Sequence, residues 1–235
     1  MLPTTIVPPV WRAGPRVRDP GPRPVPTVPA WVPVPAGFLA GSIPWSNLMA
    51  RRVAGVDLRR IGSGTVSGTG LFAVAGFGPL ALAGVMEVTK GAVGPLLAGP
   101  DRPGLAAAAG AAAVIGHNWS PWLRGAGGRG LSPALGALGV NAPAASATLL
   151  GGMAGGRLIR QTAIGSLVAE LASIPIARRS RGPQAGWAAA GVVIPMMIKR
   201  LAGNAPPTPG STAPYLWRFL LDRDRRRSLV TRSRS

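Results

Sequence analysis

Five long stretches of this chain carry no formally charged side chain: 24–50, 61–86, 103–123, 130–156 and 182–198. A helix needs roughly 20 residues to cross the hydrocarbon of a bilayer, and four of the five stretches exceed that length. Only 14% of the chain is charged, against about 25% in a soluble domain. The pattern predicts an all-α, polytopic integral membrane bundle of about 6–7 transmembrane helices, multi-pass in the cell membrane, rather than a soluble Ala/Gly-rich globule.

The remaining charge is lopsided. A formal net charge of +19 raises the question of nucleic acid, but the arginines stand at the ends of apolar stretches and in the tail, where anionic headgroups attract them. No basic motif interleaved with aromatics occurs, so no nucleic acid partner is expected and membrane lipids are. The absence of cysteine and the single histidine argue against a metal site, and no cofactor is expected. Residues 1–33 read as a disordered Pro/Arg-rich extension, 34–203 as the membrane domain, and 204–235 as a Pro-rich, then Arg-rich tail that is disordered or lies on the membrane surface. Arg51, Arg52, Arg59 and Arg60 crowd the far end of the first apolar stretch. The positive-inside tendency then puts the loop after them in the cytoplasm.

That loop, 56–70, is rich in glycine and hydroxyls. Gly62, Gly64, Gly68 and Gly70 let backbone N–H groups approach a ligand closely, while Ser63, Thr65, Ser67 and Thr69 add hydroxyl donors. Arg59 and Arg60 bring a planar fork suited to phosphate. An anion-holding loop and a flexible connection are both open readings. No Gly-Lys-Ser/Thr follows it and no strand pattern precedes it, which excludes the two commonest nucleotide fingerprints.

Further along, Pro44 predicts a kink in a first segment running over about 34–50, with freed carbonyls that neighbours must satisfy. Glu87 and Lys90 share a helical face, either as a self-neutralising ion pair or with Lys90 offered to phosphate. His117, near Trp119 and Trp122, precedes a second glycine-rich basic turn, 124–130, containing Gly127, Gly128 and Arg129. The tryptophans read as interfacial anchors that keep His117 and Arg129 at the water boundary. The two glycine-rich turns are expected to meet at one membrane face. Asn141-Ala-Pro143 breaks the next stretch into two short segments, which returns Arg157 and Arg160 to the face of Arg129. Thr162, Ser166, Glu170 and Ser173 form a polar stripe on an apolar helix, for which Arg157 or Arg160 is the expected partner of Glu170. The same alternation puts Arg178, Arg179 and Arg181 outside, against the charge rule.

Taken together, these pieces resemble the bacterial acyl-phosphate-dependent glycerol-3-phosphate acyltransferases, the PlsY type, over roughly 38–203, with this chain a divergent member. The matching blocks are Gly41-Ser-Ile-Pro44, Asp57-Leu-Arg59 with Gly62-Ser-Gly64, Lys90-Gly91, Gly116-His117 with Gly127-Gly128-Arg129-Gly130, Arg160 with Gly165-Ser166, and Lys199-Arg200-Leu201. The resemblance implies a membrane enzyme, working as a monomer, that moves a fatty acyl group from acyl phosphate to glycerol 3-phosphate. Lysophosphatidic acid and phosphate would be released. It also implies roles. His117, Lys90 and Ser63 would serve catalysis; Arg59, Gly62, Ser63, Gly64, Thr65, Thr69, Lys90, Gly127, Gly128, Arg129, Arg160 and Ser166 would bind the substrates' phosphates.

The chain departs from the family pattern at several of these points. Thr65 stands for an asparagine, Gly70 for another, Glu87 for aspartate and Arg129 for lysine. Two other readings therefore remain: a catalytically degenerate relative acting as a scaffold or lipid- and phosphate-binding partner, and a small transporter with coincidental motifs.

Overall fold

The computed structural model describes residues 28–62, 64–204 and 213–221, and among them it contains ten α-helices and no strand. Helix α1 (Pro33–Ser42) opens on a proline, which suits a first turn that has no use for its N–H. Pro44 ends it. Ile43 takes an extended backbone (ψ 119°), as a residue before proline does, and α2 (Trp45–Ala54) starts afresh. The expected single kinked segment is thus two helices, because the proline breaks the helix outright. The carbonyls it frees are recovered by neighbours: Ser120 Oγ donates to Ser42 O at 2.7 Å, and Lys90 Nζ to Ile43 O at 2.6 Å.

Helices α3 (Gly68–Ala75) and α4 (Phe77–Ala98) are divided at Gly76, whose φ of +80° only glycine adopts without strain. Then follow α5 (Pro103–Asn118), α6 (Leu131–Asn141), α7 (Pro143–Leu158), α8 (Thr162–Arg181), α9 (Pro183–Ala202) and α10 (Ala213–Leu221). The break between α6 and α7 falls at Ala142, as the Asn-Ala-Pro signal predicts.

Small residues bring the helices together. A side chain at Gly37 or Gly41 of α1 would run into the backbone of α5 at Ala109 or Ala113, one at Gly91 of α4 into Pro133 of α6, and one at Gly152 of α7 into Gly165 of α8. The buried core is correspondingly rich in alanine, including Ala113, Ala134, Ala137, Ala145, Ala177 and Ala189. Lipid tails are as apolar as leucine, so association inside a bilayer relies on such close van der Waals packing.

Large apolar side chains face outward instead. Leu82 and Val85 of α4, Ile115 of α5, Leu150 of α7, Val168 and Leu171 of α8, and Ile194 and Ile198 of α9 are all exposed. Water does not tolerate a belt of that kind, and a bilayer does. Among the described residues, α4 and α9 are long and apolar enough to cross a membrane individually. The alternation places the α4–α5 turn and the Arg178–Arg181 end of α8 at one end of the bundle, around a cavity of about 330 Å3 lined by Gly99, Pro103, Asn141 and Arg181. The glycine-rich turns lie at the other end.

Candidate active site

At the break between α1 and α2 a carboxylate is buried. Glu87 of α4 accepts from Ser46 N–H at 3.1 Å and Ser46 Oγ at 3.2 Å through Oε1, and its Oε2 lies 2.6 Å from Lys90 Nζ and 3.1 Å from His117 Nδ1. The Glu87 and Lys90 side chains are each 3% exposed. Lys90, its other bond given to Ile43 O, is held between the carboxylate and the broken helix. The i,i+3 pair read from the sequence is therefore real, and His117 joins it from α5.

Above this cluster sits the second glycine-rich turn. Gly128 N–H donates to His117 O at 3.4 Å, and Gly128 lies so close to the His117 ring that a Cβ there would collide with Nε2. Only a glycine fits between ring and loop. His117 lies under the turn, 10% exposed in its side chain.

The first glycine-rich loop packs onto the second, as expected. Val66 N–H donates to Gly127 O at 3.2 Å, and Asn204, just past the end of α9, donates from Nδ2 to Gly64 O at 3.1 Å and to Gly127 O at 2.9 Å. At the loop's start Asp57 grips Arg59. Arg59 Nε donates to Oδ1 at 3.0 Å and Nη2 to Oδ2 at 2.7 Å, while Nη1 reaches Leu123 O at 3.5 Å. The Arg59 guanidinium, bonded to the Asp57 side chain, holds that carboxyl down to about 2 from an ordinary 3.8. Asn47 of α2 fixes the same turn by accepting from Leu58 N–H at 2.8 Å.

A second buried cluster flanks the turn. Arg200 of α9 donates from Nη2 to Ser166 Oγ at 2.8 Å and to Glu170 Oε1 at 3.3 Å, with Arg200 and Glu170 side chains 2% exposed. Arg129 is near enough to Glu170 and Lys199 to act on both electrostatically. Lys199 Nζ stands 5.3 Å from the centre of the Trp119 ring. Ser166, Glu170 and Ser173 of the polar stripe of α8 turn inward while Thr162, at its start, is exposed, and the partner of Glu170 is Arg200 rather than Arg157 or Arg160. Both of those are exposed, on the last turn of α7 and the turn leading into α8, whereas Glu170 lies deeper, opposite the end of α9.

Of the residues singled out by sequence, the structure gathers Gly64, Gly127, Gly128, His117 and Lys90, with Arg59 tied to the rim and Arg129 and Ser166 at the flank. Thr65 is half-buried beside them. Gly62 is exposed on the loop's outer turn, Thr69 is exposed on the first turn of α3, and Arg160 points away in a left-handed turn (φ 57°). Ser63 lies outside the described residues. Sequence reasoning gave no role to Asn204, Ser46 or Asp57. Asp57 carries a local signal in its spacing to Arg59, but nothing near Asn204 or Ser46 announces theirs.

A family model described as glycerol-3-phosphate acyltransferase matches residues 31–204, which span every element of this arrangement. The chain belongs to that family. A glycerol-3-phosphate acyltransferase of Myxococcus xanthus (strain DK1622) is 42% identical over 137 residues, covering 57% of this chain and 71% of the relative. One from Synechococcus sp. (strain CC9902) is 34% identical over 182 residues, 72% and 90% of the two chains. The fold is shared with the crystal structure of PlsY (YgiH), an integral membrane glycerol 3-phosphate acyltransferase, in its glycerol 3-phosphate form. That likeness has a TM-score of 0.65 at 24% identity and covers 73% of this chain and 88% of that one. The lysophosphatidic acid form gives a TM-score of 0.64 at 21% identity, over 73% and 87% of the two chains. The acyltransferase family and the all-α integral membrane fold are thereby established, and the transporter reading is set aside.

Proposed function

We propose that this protein transfers a fatty acyl group from acyl phosphate to the first hydroxyl of glycerol 3-phosphate, releasing lysophosphatidic acid and inorganic phosphate. The observation that carries the reading is the seam between the two glycine-rich turns, closed by Asn204 above His117. The seam brings Arg129 and the hydroxyl-bearing Thr65 to one rim, groups suited to phosphoryl oxygens, whereas the N–H groups of Gly64, Val66, Gly127 and Gly128 are bonded within the protein. Each substrate carries such a group, and holding two reactants in register supplies much of a rate enhancement.

Chemically the step is simple. The acceptor hydroxyl adds to the carbonyl carbon of the mixed anhydride, an ester C–O bond forms, and the C–O bond to phosphate breaks. Phosphate leaves with the bonding pair. The hydroxyl proton passes to His117, which Glu87 orients, and on to the departing phosphate. Arg129 steadies the charge that develops on the leaving group. An activated donor of this kind calls for no serine nucleophile. The arginines at 51, 52, 59 and 60 favour a cytoplasmic position for the site.

A second reading, a catalytically silent relative that retains phosphate or lipid binding, is favoured by one observation. Lys90 and Arg59, both assigned to phosphate, are each engaged by an internal carboxylate, Glu87 and Asp57. Purified protein supplied with palmitoyl phosphate and glycerol 3-phosphate separates the two. The enzyme reading expects lysophosphatidic acid, with loss of turnover in His117→Ala and Lys90→Ala. Binding of acyl phosphate without any acyl product would establish the silent relative instead.

A further inference from the structure

Lys199, on the last turn of α9, is 2% exposed, and among the described residues no carboxylate pairs with it. Two other cations buried beside it are differently placed. Lys90 meets Glu87 at 2.6 Å and Arg200 meets Glu170 at 3.3 Å. The Lys199 ammonium donates to Gly125 O at 3.4 Å, the far edge of hydrogen bonding, and faces the Trp119 ring. An ammonium withdrawn from water costs free energy unless an anion or strong acceptors replace its hydration.

The surroundings indicate which anion. Arg129 is near enough to act electrostatically on Lys199, and Lys199 on His117, so the ammonium belongs to the neighbourhood of the proposed base. Like charges side by side repel, and a doubly charged phosphoryl group between them removes that repulsion together with the cost of burial. Lysine presents a compact point charge that a single phosphoryl oxygen satisfies. The way in is short. Gly125, whose carbonyl Lys199 holds, is itself exposed in a left-handed turn (φ +81°), so a phosphoryl oxygen need replace only this one long bond. Lys90 and Arg59 offer no such opening, each being bound to a carboxylate, at 2.6 and 2.7 Å.

We propose that Lys199 binds a phosphate dianion at the seam, its ammonium and the Arg129 guanidinium sharing the phosphoryl oxygens. This deepens the acyl-transfer reading and rests on the phosphate-binding part of it, which a catalytically silent relative would retain. Two substrates carry the group, the acyl phosphate donor and the glycerol 3-phosphate acceptor.

The test uses the full-length protein in detergent and its Lys199→Met variant, which keeps the length of the side chain without the charge. Inorganic phosphate is titrated while thermal unfolding is followed, with chloride at matched ionic strength as the control. Phosphate is expected to raise the melting temperature of the original protein, and the variant to need roughly tenfold more phosphate for the same rise, the weight of a hydrogen bond to a charged group. Without phosphate the variant should melt no lower than the original, since it loses a buried cation that has no counter-ion. The chain's two lysines give a check that needs no variant. Phosphate should slow acetylation of Lys199, read by mass spectrometry, and leave that of Lys90 unchanged. In the acyl-transfer assay Lys199→Met should raise KM roughly tenfold for one substrate, and whether that is acyl phosphate or glycerol 3-phosphate names the source of the phosphate. Absence of acyl product from the original protein removes the transferase reading and leaves the phosphate titration to decide this one. Equal phosphate responses in the two proteins overturn the inference. So does a variant that melts lower without phosphate, or acetylation of Lys199 that ignores phosphate.

Discussion

Asn204 grips Gly127 from both sides, its Nδ2 donating to the Gly127 carbonyl at 2.9 Å and its Oδ1 accepting from the Gly127 N–H at 3.4 Å. The same Nδ2 donates to Gly64 O at 3.1 Å. One amide side chain therefore completes what two glycine-rich turns lack, since neither has a ladder or helix of its own to satisfy its backbone.

Asn204→Ala removes three hydrogen bonds at once and leaves the Gly64 carbonyl and the Gly127 N–H in search of partners, while Gly127 O keeps its bond from Val66 N–H. A loss of about 1–3 kcal/mol in local stability is expected, confined to the two turns. Hydrogen exchange should show it as faster exchange at the amides of residues 64–66 and 126–128, with the helices unchanged. Acyl transfer should fall at the same time. Unaltered protection at these amides would mean that Val66 and Gly127 hold the seam alone.

The Glu87 cluster makes a different prediction, because its members are ions. Glu87→Gln strands the Lys90 ammonium among buried groups, and breaking a buried pair from one side costs about 3–5 kcal/mol. The double change Glu87→Gln with Lys90→Met removes the stranded charge and should recover most of that loss. Thermal unfolding in detergent of the two single variants and the double variant tests it. Simple additivity of the single effects would show that the pair contributes no coupling.

How much of this was legible follows from distance along the chain. The Glu87–Lys90 pair was readable because three residues of helix put both groups on one face. The helix break at Asn141-Ala-Pro143 was readable because proline acts on its immediate neighbours, whereas at Pro44 the same local signal implied a kink and the structure has an outright break. Glu170 was assigned to Arg157 or Arg160 for the same local reason, and there nearness in sequence misled, since its partner Arg200 stands on the next helix. Asn204 is 140 residues from Gly64, and no periodicity or spacing couples them. The meeting of the two turns was foreseen from their common place at the ends of apolar stretches, but not what fastens them.

Asp57 gives the site's rim an acid limit. Its folded carboxyl is held at about 2 against an ordinary 3.8, so its contact with Arg59 stabilises the folded protein fully above the ordinary value. That contribution drains away as pH falls from there through the folded value. Asp57→Asn lacks the charge at any pH. The melting-temperature gap between the original protein and this variant should therefore be constant at neutral and mildly acidic pH, and should close as Asp57 protonates. A gap unaffected by acid would show that the Asp57–Arg59 pair is energetically silent.

Arg200 is the most heavily engaged side chain of the flank, bonded to Ala163 O, Phe219 O, Ser166 Oγ and Glu170 Oε1 while 2% exposed. Arg200→Met deletes all four bonds and leaves the Glu170 carboxylate buried without its cation, a loss of about 3–5 kcal/mol. Pairing it with Glu170→Gln should restore the fraction due to the stranded charge. The bonds to Ala163 and Phe219 stay lost in the double variant, so α10 should remain loosened on α9 even where the melting temperature recovers. Limited proteolysis near the start of α10 reads that residue of damage separately from global stability. If the double variant is as resistant to cleavage as the original chain, the bonds from Arg218 Nη1 to Leu201 O and Ala202 O hold α10 on α9 without Arg200.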